Sequence, residues 1–191
     1  MIVNYNEKKI QIKIVYYGCA LSGKTTSLKS LFSGYGRNDL LTSIETTTGR
    51  TLFFDFGTLQ IKGGEWTVKI SLYSATGQDF YASTRPATLS GADGIVFIID
   101  SQKKYLSDNI SSWNELNRYY QNSLNNMPLI VCLNKQDLPE LLDTDVIIKN
   151  LNLNSYNKVE IIKTIASRAE DVLQAFKRML AQIFPKITIK S

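Results

Sequence analysis

The order of apolar and polar positions already divides the chain into alternating elements. From Lys9 to Tyr17 the residues alternate and then run apolar, with β-branched Ile10, Ile12, Ile14 and Val15, and stop at Gly18, which predicts a buried strand. Within Thr25 to Phe32, Leu28, Leu31 and Phe32 stand at helical spacing, and the pattern breaks at Ser33-Gly34-Tyr35-Gly36. The threonine-rich polar stretch from Thr42 to Thr51 predicts a surface loop. Thr51 to Phe56 and Thr67 to Tyr73 read as strands joined by Gly57 to Glu65, with a turn signal at Gly63-Gly64. Ala92 to Asp100 and Pro128 to Leu133 are almost uninterrupted apolar runs, the mark of strands covered on both faces. Between them Leu106, Ile110, Trp113, Leu116 and Tyr120 recur at helical spacing and predict a crossover helix. Lys158 to Ile165 supplies a last strand, and Val172, Leu173, Phe176, Met179, Leu180 and Ile183 mark one face of a final helix ended by Pro185. Strand and helix alternating in this way predict an α/β fold: a mostly parallel, doubly wound sheet with helices on both faces. Residues 1–191 read as one domain, with 186–191 as a short tail that suits an edge strand or a frayed end equally.

Composition narrows the function classes. At 191 residues, 43% hydrophobic and 20% charged, the chain is of ordinary globular make-up. Its net charge of +5 is dispersed in ones and twos, as at Lys8-Lys9 and Lys177-Arg178, so no basic block tracks a nucleic acid. A count of zero histidines removes histidine-based triads and histidine metal sites. The two cysteines, Cys19 and Cys132, lie in apolar runs and point to a reducing compartment. No apolar run approaches the ~20 residues of a membrane span. Met1-Ile2-Val3-Asn4 has neither a signal-peptide start nor a myristoylation glycine, and the carboxyl end carries no prenylation cysteine. The expectation is a cytoplasmic monomer without a lipid anchor.

Two motifs carry chemistry. Gly18-Cys19-Ala20-Leu21-Ser22-Gly23-Lys24-Thr25 matches the phosphate-loop pattern G-x-x-x-x-G-K-[ST], placed after a strand and opening a helix. Backbone N–H groups from Leu21 through Ser22, Gly23 and Lys24 to Thr26 would converge on phosphates there. Lys24 would neutralise the β- and γ-phosphates and the Thr25 hydroxyl would ligate Mg²⁺. A phosphate loop by itself does not separate ATP-using enzymes from GTPases. Asn134-Lys135-Gln136-Asp137 follows directly on the strand ending at Leu133, about 110 residues after the loop, at a sheet edge where this architecture binds ligands. A carboxylate at Asp137 can accept from two N–H groups of guanine, a pairing adenine cannot offer. Lys135 would lie over the base and Asn134 would hold the loop.

With those motifs the chain resembles the Ras-superfamily small GTPases from about Lys13 to Ile183. It is similar within them to the prokaryotic MglA-type GTPases of cell polarity and gliding, through Val15-Tyr16-Tyr17-Gly18, the run from Gly49 to Phe56, Gly77-Gln78-Asp79-Phe80-Tyr81 and Gly94-Ile95-Val96-Phe97. The resemblance implies a small GTPase fold and a GTP/GDP switch that uses Mg²⁺. It also implies a roadblock-type, MglB-like regulator. Thr51 would then sense the γ-phosphate and the metal, and Gln78 after Gly77 would orient the attacking water. An arginine just before that threonine, here Arg50, serves the family as an arginine finger delivered in cis; an exposed loop arginine is the alternative.

Three departures from the superfamily pattern stand out. Ser74-Ala75-Thr76-Gly77-Gln78 lacks the usual magnesium-site aspartate. MglA-type proteins lack it too, and Asp55 on the neighbouring strand, about 4.8 Å away, is the candidate replacement, unless it is a strand-end carboxylate facing solvent. Ala20 replaces a usual glycine, and its methyl points into the space Gln78 and a finger need, so slow intrinsic hydrolysis is expected. Ile165-Ala166-Ser167 stands where the family tends to read Ser-Ala-Lys, keeping at Ala166 the N–H for the guanine carbonyl but with Ser167 in place of the lysine. Cys19 reads as a small side chain packed under the loop rather than a redox sensor. Two other readings stay open: a nucleotide-loaded interaction module with negligible hydrolysis, and an ATP-using phosphate-loop enzyme.

Overall fold

The computed structural model describes residues 1–45, 51–76 and 83–185. Thirteen strands and helices follow in chain order: β1 (Ile2–Asn4), β2 (Lys9–Tyr17), α1 (Lys24–Gly34), β3 (Leu41–Glu45), β4 (Thr51–Gly63), β5 (Trp66–Ala75), α2 (Arg85–Leu89), β6 (Gly94–Asp100), α3 (Leu106–Tyr120), β7 (Leu129–Asn134), α4 (Thr144–Asn150), β8 (Val159–Lys163) and α5 (Ala169–Ile183). They build an 8-stranded sheet in the order β3-β4-β5-β2-β6-β7-β8, with β1 added beside β2. Pairing is parallel from β5 through β2, β6 and β7 to β8, and antiparallel along β3-β4-β5 and β1-β2.

Side-chain alternation along β2 explains why both faces are covered. Ile12, Ile14 and Tyr16 pack with Leu28, Leu31 and Phe32 of α1 and with Phe176 and Met179 of α5. Val15 and Tyr17 point the other way, into a second core with Phe97, Trp113, Leu116 and Ile147. Trp113 stacks edge-on to Phe97 at 4.9 Å and donates its indole N–H to Leu151 O at 2.9 Å, so its one polar atom is satisfied inside the core. The Tyr16-Tyr17 pair and the stripe around Trp113 are therefore core.

The register differs from the sequence expectation in two places. Thr42 to Glu45 form edge strand β3 against β4 rather than a surface loop, with Thr42 opposite Phe56 and Ser43 opposite Asp55. An edge strand needs only one partner, so its outward polarity hid it. The connection expected from Gly57 to Glu65 is mostly strand: β4 runs on to Gly63 and turns back at Gly64 and Glu65. Gly57 is there for space, since a Cβ at that position would lie 2.3 Å from Phe32 Cζ. Short β1, α2 and α4 carried too few periodic positions to be read beforehand.

β2 is the switch point of the winding. The chain leaves it to build β3, β4 and β5 on one side, then returns to lay β6 on the other. A crevice therefore opens beyond its carboxyl end, and the phosphate-loop motif begins there.

Candidate functional site

The loop between β2 and α1 is shaped by two glycines. Gly18 has φ 144°, and a Cβ on it would lie 2.2 Å from Ile98 O. Gly23 has φ 106°, and its Cβ would lie 2.2 Å from Asn134 Nδ2. A side chain at either position would push the loop off β6 or off the end of β7. Lys24 is buried, and its ammonium donates to Gly18 O at 2.8 Å and Cys19 O at 2.6 Å, curling back over the loop. Burial lowers its pKa from 10.5 to about 8. Leu21, with φ 60°, and Thr26 are exposed at the loop rim, while Ser22 is fully buried. The amino end of α1 and a buried lysine thus belong to the same loop, an arrangement that suits a polyphosphate.

Asp55 is fully buried and does not face solvent. The Thr25 hydroxyl donates to its Oδ2 at 2.6 Å. Asp55 pairs with Ser74 across β4 and β5, so the two side chains share a face, and the buried Ser74 hydroxyl has no hydrogen-bond partner among the described residues. The Asp55 carboxylate and the Thr25 and Ser74 hydroxyls are an oxygen-only donor set, whose chemistry would fit Mg²⁺. Thr51 opens β4 with its backbone opposite Glu45; its side chain, and Arg50, Gly77 and Gln78 entirely, lie outside the described residues.

At the other end of the crevice Asn134 acts as a clip. Its Nδ2 donates to Ser22 O at 2.7 Å, and its Oδ1 accepts from Ala166 N at 2.8 Å and from Thr164 Oγ1 at 3.3 Å. One side chain ties the phosphate loop to the turn at Ala166. Two further side chains, unread in the sequence, hold that turn: Asp171 accepts from Ile165 N at 2.8 Å and Ser30 Oγ donates to Ala166 O at 2.5 Å. The Ala166 N–H, expected to meet a guanine carbonyl, is directed to Asn134, whereas Ser167 is exposed. Lys135, at φ 65°, pairs with Asp100 at 2.5 Å, and Asp137 stands exposed. The phosphate-loop motif and the Asn-Lys-x-Asp motif are thus clipped together by Asn134 at the two ends of one crevice.

The family model for the ADP-ribosylation factor family matches residues 1–183. The chain belongs to the Arf/Ras superfamily of GTPases. The Mutual gliding-motility protein MglA of Myxococcus xanthus (strain DK1622) is 34% identical over 186 residues, covering 93% of this chain and 94% of that protein. The Ras-related protein RABA2d of Arabidopsis thaliana is 29% identical over 182 residues, 94% of this chain and 77% of that protein. The Ras-related protein Rab-5B of Plasmodium falciparum (isolate 3D7) is 25% identical over 181 residues, 95% and 82%.

In this GTPase a cavity of about 220 Å³ lies beside the phosphate loop, lined by Gly18, Cys19, Ala20, Arg85 and residues of α3 that include Asp108 and Glu115. Ala20 is exposed on that side. Arg85, at the start of α2, donates to Thr76 O at 3.0 Å and pairs with Glu115 at 2.5 Å, joining the end of β5 to α3. Cys19 is buried, its thiol lies 3.3 Å from Asn109 Oδ1, and burial pushes its pKa up. A thiolate is disfavoured there, in keeping with a packing role. Among the described residues no helix is long and apolar enough to cross a membrane.

Proposed function

We propose that this GTPase is a GTP/GDP-dependent switch of one domain, residues 1–191, that binds guanine nucleotide with Mg²⁺ and hydrolyses GTP slowly until a partner assists. Supporting this reading above all is the Asn134 clip, which makes the phosphate cradle and the base loop one rigid unit. Lys24 answers the charge of the β- and γ-phosphates, the first turn of α1 supplies N–H groups, and the Asp137 carboxylate accepts from the guanine edge. Thr25 and Asp55 would hold Mg²⁺, together with Thr51. The ion, when bound, neutralises phosphate charge and fixes the orientation of the chain. Asp55 stands in for the aspartate absent at Ser74, because the two positions face each other across β4 and β5.

Hydrolysis needs a positioned water and compensation of charge developing on the transferred group, roles assigned to Gln78 and Arg50. Ala20 narrows the approach to the phosphates, which favours a low intrinsic rate. It also supports the second reading, a nucleotide-loaded interaction module with negligible turnover. The surface from Arg50 to Phe56 and Gln78 to Leu89 would meet a roadblock-type regulator or another effector, and the likeness to MglA supports that class of partner.

The test begins with nucleotide released from the purified protein by denaturation. GDP or GTP is expected, and protein that is empty and binds neither overturns the reading. Asp55→Asn then checks the metal role: outer-shell ligands of this kind are worth about 10- to 100-fold. A loss of that size in Mg²⁺-dependent GDP affinity, with little change in excess chelator, is the expected outcome. Phosphate release over many turnovers, with and without partner, separates the switch from the interaction module.

A further inference from the structure

The lysine of the Asn-Lys-x-Asp motif is half-buried and tied at its tip to a buried carboxylate. Its ammonium lies 2.5 Å from Asp100 Oδ2 and 5.5 Å from the centre of the Tyr105 ring. Asp100 is the last residue of β6 and fully buried, with Oδ1 accepting the Gln102 N–H at 3.1 Å. It stands in register with Asn134, the residue before Lys135. Its backbone is gripped from α3: Asn109 Oδ1 accepts the Asp100 N–H at 3.1 Å, and Asn109 Nδ2 donates to Asp100 O at 2.8 Å. That same Oδ1 receives the thiol of Cys19 in the phosphate loop at 3.3 Å.

A carboxylate buried at a strand end is costly unless it is paired and hydrogen-bonded. Asp100 meets that condition through Lys135 and Gln102, and its position is set by an asparagine whose oxygen accepts twice and whose nitrogen donates back to Asp100. A free lysine has many rotamers to lose when it is laid along a base, and one held beforehand at its tip has fewer. We propose that Asp100 is a positioning residue for base recognition. It fixes the Lys135 arm beside the base, and through Asn109 and Cys19 it keeps that arm in register with the phosphate loop. The inference rests on the guanine-nucleotide reading above.

The test uses the full chain loaded with a fluorescent GDP. Asp100→Asn, which keeps shape and removes charge, is expected to speed GDP release about tenfold, the order of one charge-assisted contact and one pre-ordered side chain. Competition by pyrophosphate, which reads the phosphate loop alone, should stay within twofold of wild type. Lys135→Ala should speed release by a similar factor, and the double variant should release no faster than Lys135→Ala alone. Asp100→Glu, which restores the carboxylate one methylene further out, should fall between wild type and Asp100→Asn; it carries the test if Asp100→Asn loses its native melting transition. Release within twofold of wild type in both Asp100 variants overturns the proposal, as do equal losses for GDP and pyrophosphate, or effects that add in the double variant. Wild-type protein that binds no guanine nucleotide fails at the earlier step instead.

Discussion

Lys24 is buried at the phosphate loop, where desolvation opposes the charge that a phosphate would restore. Burial brings its pKa from 10.5 to about 8, and at 1.36 kcal/mol per unit that corresponds to about 3 kcal/mol against the charged form. The sign follows from proton counting. Between pH 8 and 10.5 the unfolded chain keeps the lysine proton that the folded chain has lost, so stability of the nucleotide-free protein rises with pH across that window. Binding runs the other way, because phosphates restore the charged ammonium. At pH 8 about half of the free sites must take up a proton to bind GDP, and at pH 7 about one tenth. The diphosphate's own last proton is released at pH 7, which widens the contrast. Isothermal titration of nucleotide-free protein with GDP, in two buffers of different ionisation enthalpy, reads this uptake directly. Uptake near zero at pH 8, or equal at the two pH values, would refute the assignment of a depressed lysine facing the phosphates. The matching affinity loss from pH 7 to 8.5 is about fourfold.

Other perturbations probe other parts of the site. Asn134→Ala orphans Ser22 O and Ala166 N, both in buried surroundings; at ~1–3 kcal/mol for each unsatisfied group it should cost about 2–6 kcal/mol in denaturant unfolding and speed GDP release. Gly57→Ala drives a methyl into the Phe32 ring and should lower stability by about 1–3 kcal/mol in a thermal melt, leaving nucleotide selectivity intact. Ala20→Gly should raise the single-turnover GTPase rate, and an unchanged rate sinks the steric account. With a cognate partner present, Arg50→Ala should cut the stimulated rate by about 10³-fold or more if the arginine meets the transferring phosphoryl group.

What could be read beforehand followed local rules. Period-2 alternation in Lys9 to Tyr17 and the apolar stripe of Val172 to Ile183 are written in neighbouring residues, so β2 and α5 were legible. The phosphate loop and the Asn-Lys-x-Asp loop were legible for the same reason, because each packs its chemistry into a few consecutive positions. Edge strand β3 escaped because one-sided pairing tolerates a polar sequence. The extension of β4 through Gly57 escaped because its cause, the Phe32 ring, lies on α1. Asp171 and Ser30 carry no motif; they matter only because α5 and α1 are packed beside the turn at Ala166.

Read alone, the chain of residues settled the α/β winding, the phosphate-loop and Asn-Lys-x-Asp motifs and the absence of histidine chemistry, since each depends on residue types and short spacings. Asp55 marks the boundary: the missing aspartate at Ser74 was visible in the chain, but that a buried carboxylate meets Thr25 follows only from the β4–β5 register together with the packing of α1 on the sheet. Tertiary structure also decided that Asn134 joins the two loops, that Lys24 is desolvated, and that Lys135 leans on Asp100. Those contacts link residues from about 5 to more than 100 positions apart, and only the folded sheet brings them within hydrogen-bond reach.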